Sequence, residues 1–370
     1  MADDSEGQRD GVDKSAVLAA LSQIQDPDLH RDIVSLGFVR DDGINVCGGS
    51  VSVKIVLTTP ACPVREQMKR QAEELLLAIP GVEHAEVAMD ADVRSTGRAQ
   101  GPRELEGVRN IIAVASNKGG VGKSTMAVNL ALALSKFGAR VGLLDADLTG
   151  PNVPTMVGVA AGFQAESQRG LEIVERYGIK VASIGFLLKK GLPVVWRGPM
   201  IGTGVRQLLH DLPWGGDGEL DYLIIDLPPG TSDASMSMAQ EAPVAGVVIV
   251  TTPNSVSLED AMKAVTMFEK LNVPVFGVIE NMSYFVCPHC GERTDIFGHG
   301  GGEAAADELG LDFLGEVPLD TKVRESGDAG VPVMVSDPES PVAAAMAAIA
   351  QKVAAKTSVQ HFFAQTAASA

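Results

Sequence analysis

The chain has 370 residues, 47 acidic and 30 basic, with a formal net charge of −17 and 45% hydrophobic content. Such a length supplies apolar material for two cores, and such a charge argues against non-specific attraction to nucleic acid or anionic lipid. No apolar run reaches 18 residues, and MADDSEGQRDGVDKS lacks the charged and apolar regions of a secretory leader, so the expectation is a cytoplasmic protein with no nucleic-acid or membrane partner.

Residues 1–13 are acidic and polar and are expected to be disordered. Residues 14–93 are predicted to form a small α+β domain. Lys14 to Ile24 has helical character and ends at Asp26-Pro27; extended runs follow over Ile33 to Arg40 and Val51 to Thr59, then a helix from Pro63 to Ile79 and a short strand from His84 to Met89. Cys62 stands where the second extended run meets the helix, a position that lowers a thiol pKa and favours the thiolate. The alternative is a buried structural cysteine. Cys47, in the turn VCGGS, carries no motif. Residues 94–107, RSTGRAQGPRELEG, have the composition of a linker.

From residue 108 to 355 near-continuous apolar runs alternate with helical segments. Arg109 to Ser116, Val141 to Asp145, Lys180 to Ile184, Tyr222 to Asp226, Gly246 to Thr251, Val275 to Ile279 and Phe313 to Val317 read as strands, with helices such as Ser124 to Lys136 and Ser257 to Leu271 in the crossovers. Strands of this kind are buried on both faces, so the fold class is α/β, a mostly parallel doubly wound sheet. Residues 356–370 show no pattern and are expected to be loose.

Between the first strand and the first helix of this region lies Ser116-Asn117-Lys118-Gly119-Gly120-Val121-Gly122-Lys123-Ser124-Thr125. Its glycines let backbone N–H groups converge on phosphate oxygens at a helix N-terminus, which adds its own dipole. Lys123 is placed to reach the β- and γ-phosphates and Ser124 to hold Mg²⁺. Asn117 occupies the position where the general phosphate-loop pattern has glycine. Asparagine tolerates left-handed backbone best after glycine, so the turn survives.

The segment KGGVGKS resembles the deviant phosphate loop of the MinD/ParA/nitrogenase-reductase class of ATPases. That resemblance implies an ATP site in a homodimer, with Lys118 reaching the partner's nucleotide in the manner of an arginine finger. Residues 119–125 (Gly119, Gly120, Val121, Gly122, Lys123, Ser124 and Thr125) would bind ATP. In LLDADLTGPN, Asp145 ends a strand and Asp147 follows it; in DYLIIDLPPGTSD, Asp226 ends another. By the resemblance, Asp226 joins the Mg²⁺ shell through water, Asp147 polarises the attacking water, and Asp145 supports Mg²⁺ or Ser124. Gly230 offers its N–H to the γ-phosphate, and Asn281 and Pro318, each following a strand, contact adenine. The structural alternatives are a helix cap for either strand-end aspartate and a turn for Asn281.

Cys287-Pro-His-Cys290 brings two thiols to one point after the Asn281 strand. Structural zinc and iron–sulfur clusters usually take four ligands, and a two-fold dimer would supply them by symmetry. His289 or His299 completing a zinc site within one chain is the alternative. Together, KGGVGKST, LLDADLTGPN, VVWRGPM, LDYLIIDLPPGTSD, NMSYFVCPHCGERTDIFG and GEVPLD are similar to the Mrp/ApbC family of iron–sulfur cluster carrier ATPases. Asp26-Pro27-Asp28 and TTPACP around Cys62 resemble the small iron–sulfur assembly domain often fused before it. The resemblance implies a slow ATPase that holds a [4Fe-4S] cluster across a dimer and passes it to apo-proteins, with Cys62 as a further transient ligand. No role follows for Trp196 to Pro199. The rivals are a MinD/ParA-like positioning ATPase, a nitrogenase-reductase-like electron donor, and a zinc-stabilised binding module.

Overall fold

The computed structural model describes residues 12–96, 104–147, 150–160, 163–164, 171–187, 198–230 and 233–368. They form two compact units that divide between Val93 and Arg94.

The first unit contains α1 (Lys14–Leu21), β1 (Val39–Cys47), β2 (Ser50–Leu57), α2 (Arg65–Leu77) and β3 (His84–Ala91). β1 and β2 form an antiparallel hairpin, and β2 pairs in parallel with β3 across α2. β2 alternates buried and outward residues, so Val51, Val53, Ile55 and Leu57 make one face of the core with Met68, Ala72 and Leu76 of α2. The extended run expected from Ile33 is corrected: strand β1 begins only at Val39. The Asp32 carboxylate accepts the N–H groups of Val34 and Ser35 at 3.0 and 2.8 Å, which folds this stretch into a turn while Ile33 and Leu36 stay buried.

The second unit runs through β4 (Val108–Ala115), α3 (Lys123–Lys136), β5 (Val141–Asp145), α4 (Val153–Met156), β6 (Val174–Arg176), β7 (Ile179–Ser183) and α5 (Gly198–His210). It continues with β8 (Leu220–Asp226), α6 (Asp233–Glu241), β9 (Val244–Thr251), α7 (Ser255–Lys270), β10 (Val275–Val286), β11 (Arg293–Thr294), α8 (Gly301–Leu309), β12 (Phe313–Leu319), α9 (Thr321–Asp328), α10 (Val333–Ser336) and α11 (Pro341–Ala368). The strand order is β11-β10-β9-β4-β8-β5-β7-β6, with β12 also on β10. All pairs are parallel except β6 with β7 and β10 with β11. The mostly parallel doubly wound sheet expected from the apolar runs is therefore present.

Every residue of β5, β8 and β9 is buried, as strands covered on both faces must be. Alanines and leucines of α3 pack between this sheet and α11, and Trp214 and Phe268 are buried in the core cluster that includes Leu223 and Ile225. Each buried leucine, isoleucine or phenylalanine among them contributes about 1.5–3 kcal/mol by leaving water.

Two sequence expectations are corrected here. Helix α11 continues to Ala368, so the stretch from Lys356 is ordered helix rather than a loose tail. Alanine-rich sequence has high helix propensity, and the helix is held by His361, whose Nδ1 lies 2.6 Å from the Ser95 carbonyl oxygen. The ends of the predicted linker also pack within this unit. Asn110 binds the N–H of Thr96 and the carbonyl of Arg94, while Leu105 is buried in the core; residues 97–103 lie outside the described residues.

Candidate functional site

The carboxyl ends of β4, β5 and β8 meet at the loop leading into α3, where open α/β sheets bind their ligands. Gly122 occupies the N-cap of α3 with φ +84°, and a side chain there would meet Asn281 Nδ2 at 2.2 Å. Asn281 Nδ2 donates to the Val121 carbonyl at 2.9 Å, tying β10 to the phosphate loop. Lys118, Gly119 and Gly120 are exposed at the crest of the loop, with the Lys118 carbonyl accepting from Ser116 Oγ at 3.0 Å.

Behind the crest, Lys123 pairs with Asp226, its ammonium also 3.3 Å from Ser124 Oγ. Lys123 is 6% exposed and Asp226 0%. Asp226 Oδ2 is buried without a hydrogen-bond partner. Burial pushes the Asp226 carboxyl up and Lys123 draws it down, with burial prevailing. Asp145 faces Asp226 across β5 and β8 and is pushed up to about 8, first by burial and then by the Asp226 charge. Its two oxygens are occupied, accepting from Asp147 N at 3.2 Å, Ser183 Oγ at 2.9 Å and Val153 N at 3.3 Å. Ser183 was not foreseen; only its pairing opposite Asp145 on the neighbouring strand identifies it. Asp147 is buried and accepts from Gly150 N at 3.0 Å. Gly230, with φ +84°, donates its N–H to the Ser116 carbonyl at 2.8 Å.

Beside the loop opens a cavity of about 320 Å³ lined by Gly122, Thr125, Asn281, Met282, Pro318 and Arg324 among others. The structure thus brings Asn281 and Pro318 together next to the loop. Both lie inside their strands rather than after them, because β10 runs on to Val286 and β12 to Leu319. Met282 and Arg324 were missed: Met282 lies within the NMSYFVCPHC run without a role of its own there, and Arg324 lies in no motif. Trp196 and Arg197 lie outside the described residues, whereas Gly198 and Pro199 begin α5.

The extension of β10 carries the cysteines. β10 and β11 form an antiparallel hairpin whose turn holds Cys287 and Cys290. Cys287 N–H donates to the Glu292 carbonyl at 2.9 Å and Gly291 N–H to the Cys287 carbonyl at 2.8 Å. The N–H groups of Cys290 and then His289 lower the Cys287 thiol below its usual range, favouring thiolate. All four cysteines are free thiols. Among the described residues neither imidazole gathers with this pair, because His299 lies instead with Glu280 and Glu316.

In the first unit, Cys62 departs from expectation. Helix α2 begins at Arg65 rather than beside the thiol, and burial, aided by the charges of Asp26 and Asp28, pushes Cys62 up despite a hydrogen bond from the Val64 N–H. Desolvation outweighs the helix terminus.

Comparison with known proteins agrees with this architecture. The family described as "NUBPL iron-transfer P-loop NTPase" matches residues 107–354, and the one described as "Iron-sulfur cluster assembly protein" matches residues 14–88. The chain is 48% identical over 349 residues to an iron-sulfur cluster carrier protein of Synechocystis sp., covering 93% of this chain and 98% of that one. It is 39% identical over 345 residues to the carrier protein of Escherichia coli K12, covering 93% and 92% respectively. Among solved structures, a nucleotide-binding protein from Archaeoglobus fulgidus in complex with ADP superposes with a TM-score of 0.52 at 42% identity, covering 61% of this chain and 88% of that one. No helix among the described residues is long and apolar enough to cross a membrane. With its phosphate loop, strand-end aspartates and cysteine hairpin on one doubly wound sheet, the chain belongs to the iron–sulfur cluster carrier family of P-loop NTPases.

Proposed function

We propose that the protein is an ATP-dependent carrier that holds a [4Fe-4S] cluster between two copies of the chain and delivers it to apo-proteins. The observation that carries this reading is the exposed hairpin with two thiols, one biased toward thiolate, and no third ligand beside them among the described residues. Cluster cargo usually takes four thiolates, so one chain supplies half a site and an isologous partner the other half. Val286, Ile296 and Phe297, three of the six large apolar side chains exposed among the described residues, flank the same hairpin and are suited to burial against a second copy.

At the nucleotide, Lys123 moves from Asp226 to the β- and γ-phosphates, residues 119–125 cradle them, and Asn281 and Pro318 receive the adenine. The orphaned Asp226 oxygen beside Ser124 fits Mg²⁺ reached through water; the ion supplies charge neutralisation at the phosphates. Asp147 orients the attacking water, with Asp145 behind it. Lys118, free to extend from the crest, contacts the partner's nucleotide. A γ-phosphate competes with the Ser116 carbonyl for the Gly230 N–H, so its arrival and loss move that loop. Hydrolysis is correspondingly slow, giving each state a residence time. Free thiols and iron–sulfur cargo suit the reducing cytoplasm. Cys62, held as the neutral thiol, is proposed as a transient ligand that engages only when iron displaces its proton.

The test is anaerobic reconstitution with iron and sulfide. Wild type is expected to gain cluster absorption and bound iron, and a Cys287→Ala/Cys290→Ala variant neither. Equal iron in both proteins would contradict the assignment.

A further inference from the structure

Between the nucleotide cavity and the cysteine hairpin lies a polar network that neither site requires for its own chemistry. Glu280 is buried immediately before Asn281, and its carboxylate receives Gly300 N at 3.1 Å and Gly302 N at 2.5 Å. Ser283 Oγ lies 2.6 Å from Glu280 Oε1, 3.0 Å from His299 Nδ1 and 3.1 Å from Glu316 Oε2. Arg293 Nη2 is 3.0 Å from both His299 Nδ1 and His299 Nε2, and its guanidinium sits 4.0 Å above the Tyr284 ring and 3.2 Å from Asp295.

Ser283 gives its one hydroxyl proton to Glu280 and receives from His299 Nδ1 in the tautomer protonated there, while Arg293 packs against the ring, equidistant from its two nitrogens. Both ends are anchored where they matter. Arg293 pairs with Val286, the residue before Cys287. Glu280 precedes the asparagine that holds the Val121 carbonyl.

The strand between those ends is irregular. Met282 has φ +57°, an uncommon backbone for a side chain of its size, and the β10–β12 register breaks between Asn281 and Phe285. Met282 also lines the nucleotide cavity. A bulge bends and re-aims the strand beyond it, and backbone held in a sparsely populated region is common at switch sites.

We infer that Arg293, His299, Ser283 and Glu280 form a strut through which occupancy of the adenine pocket sets the position of the Cys287/Cys290 hairpin. The inference rests on the proposed nucleotide and cluster sites, and it adds a route separate from the γ-phosphate loops. Because the strut starts at the adenine side, ADP drives it as well as ATP. These four are positioning residues; none touches the phosphates or supplies a thiol.

The test uses full-length, metal-free protein, so a chain that never held a cluster still gives an answer. The alkylation rate of Cys287 by iodoacetamide is read by peptide mass spectrometry with and without saturating ADP, with exposed Cys47 as internal reference. ADP is expected to change the wild-type Cys287 rate by roughly threefold or more, the scale of ordinary coupling between sites. Arg293→Ala and His299→Gln are expected to bring that ratio to about one while ADP binding and basal hydrolysis persist. A merely structural arginine would alter the rate equally with and without ADP. The inference fails if the wild-type rate ignores ADP, or if both variants respond to ADP as the wild type does.

Discussion

Lys123→Met is expected to destabilise the nucleotide-free protein by about 3–5 kcal/mol and to abolish ATP hydrolysis. Removing the ammonium leaves Asp226 buried beside Asp145 with no opposing charge. Burying an ion pair is a weak source of stability, whereas removing one partner strands the other. The double variant Lys123→Met/Asp226→Asn should therefore recover most of the loss in urea denaturation while remaining inactive. A double variant no more stable than the single one would show that the lysine acts through packing alone.

The sign of the pH dependence follows from the same cluster. Asp145 is raised from an ordinary value near 3.8 to about 8, and Asp226 is raised too. A carboxyl raised on folding holds its proton in the native state after the unfolded chain has released it. Its stabilising contribution is thus complete below about 3.8 and lost as pH climbs toward 8. Without Lys123 to draw Asp226 down, the single variant should lose stability over this range more steeply than wild type.

Gly122→Ala is expected to weaken ADP and ATP binding by roughly 100-fold, near 2.7 kcal/mol. Left-handed backbone costs a residue with a Cβ roughly 1–2 kcal/mol, and the new methyl would stand 2.2 Å from Asn281 Nδ2. Relief of that contact breaks the Asn281–Val121 hydrogen bond that joins the cavity beside the loop to the phosphate loop. Gly119 makes the control for stability: nothing lies within 4 Å of a Cβ there, so alanine should leave the melting temperature of the free protein unchanged while Gly122→Ala lowers it. Calorimetric titration with ADP and thermal melts check both statements. Undiminished ADP affinity in Gly122→Ala would remove the assigned role of this approach.

The elements that carry the phosphate loop and the strand-end aspartates were legible because each has a local signal. Asp145 and Asp226 each end an apolar strand, and the phosphate loop lies between a β-branched run and an alanine-leucine helix. Where the chain departed from expectation, the deciding force was tertiary. Glu280, Asn281 and Ser283 interrupt the hydrophobic pattern of β10, yet the strand continues because their polar atoms find partners across the fold. Ile33 belongs to a turn since Asp32 captures two N–H groups, a competition that hydrophobicity does not report. Cys62 lies near a helix start in sequence, but its burial among aspartates exists only after folding. The set of Glu280, His299 and Glu316 spans 37 positions over two strands and the loop before α8, so no spacing rule reveals it.

Anaerobic native mass spectrometry of the reconstituted protein with ATP and Mg²⁺ tests the shared-cluster claim most directly. The expected species is two chains with one [4Fe-4S] cluster, and no cluster-bearing species when Cys287 and Cys290 are replaced by alanine. One chain retaining a complete cluster by itself, or a cluster-bearing dimer that persists without those cysteines, would contradict the account.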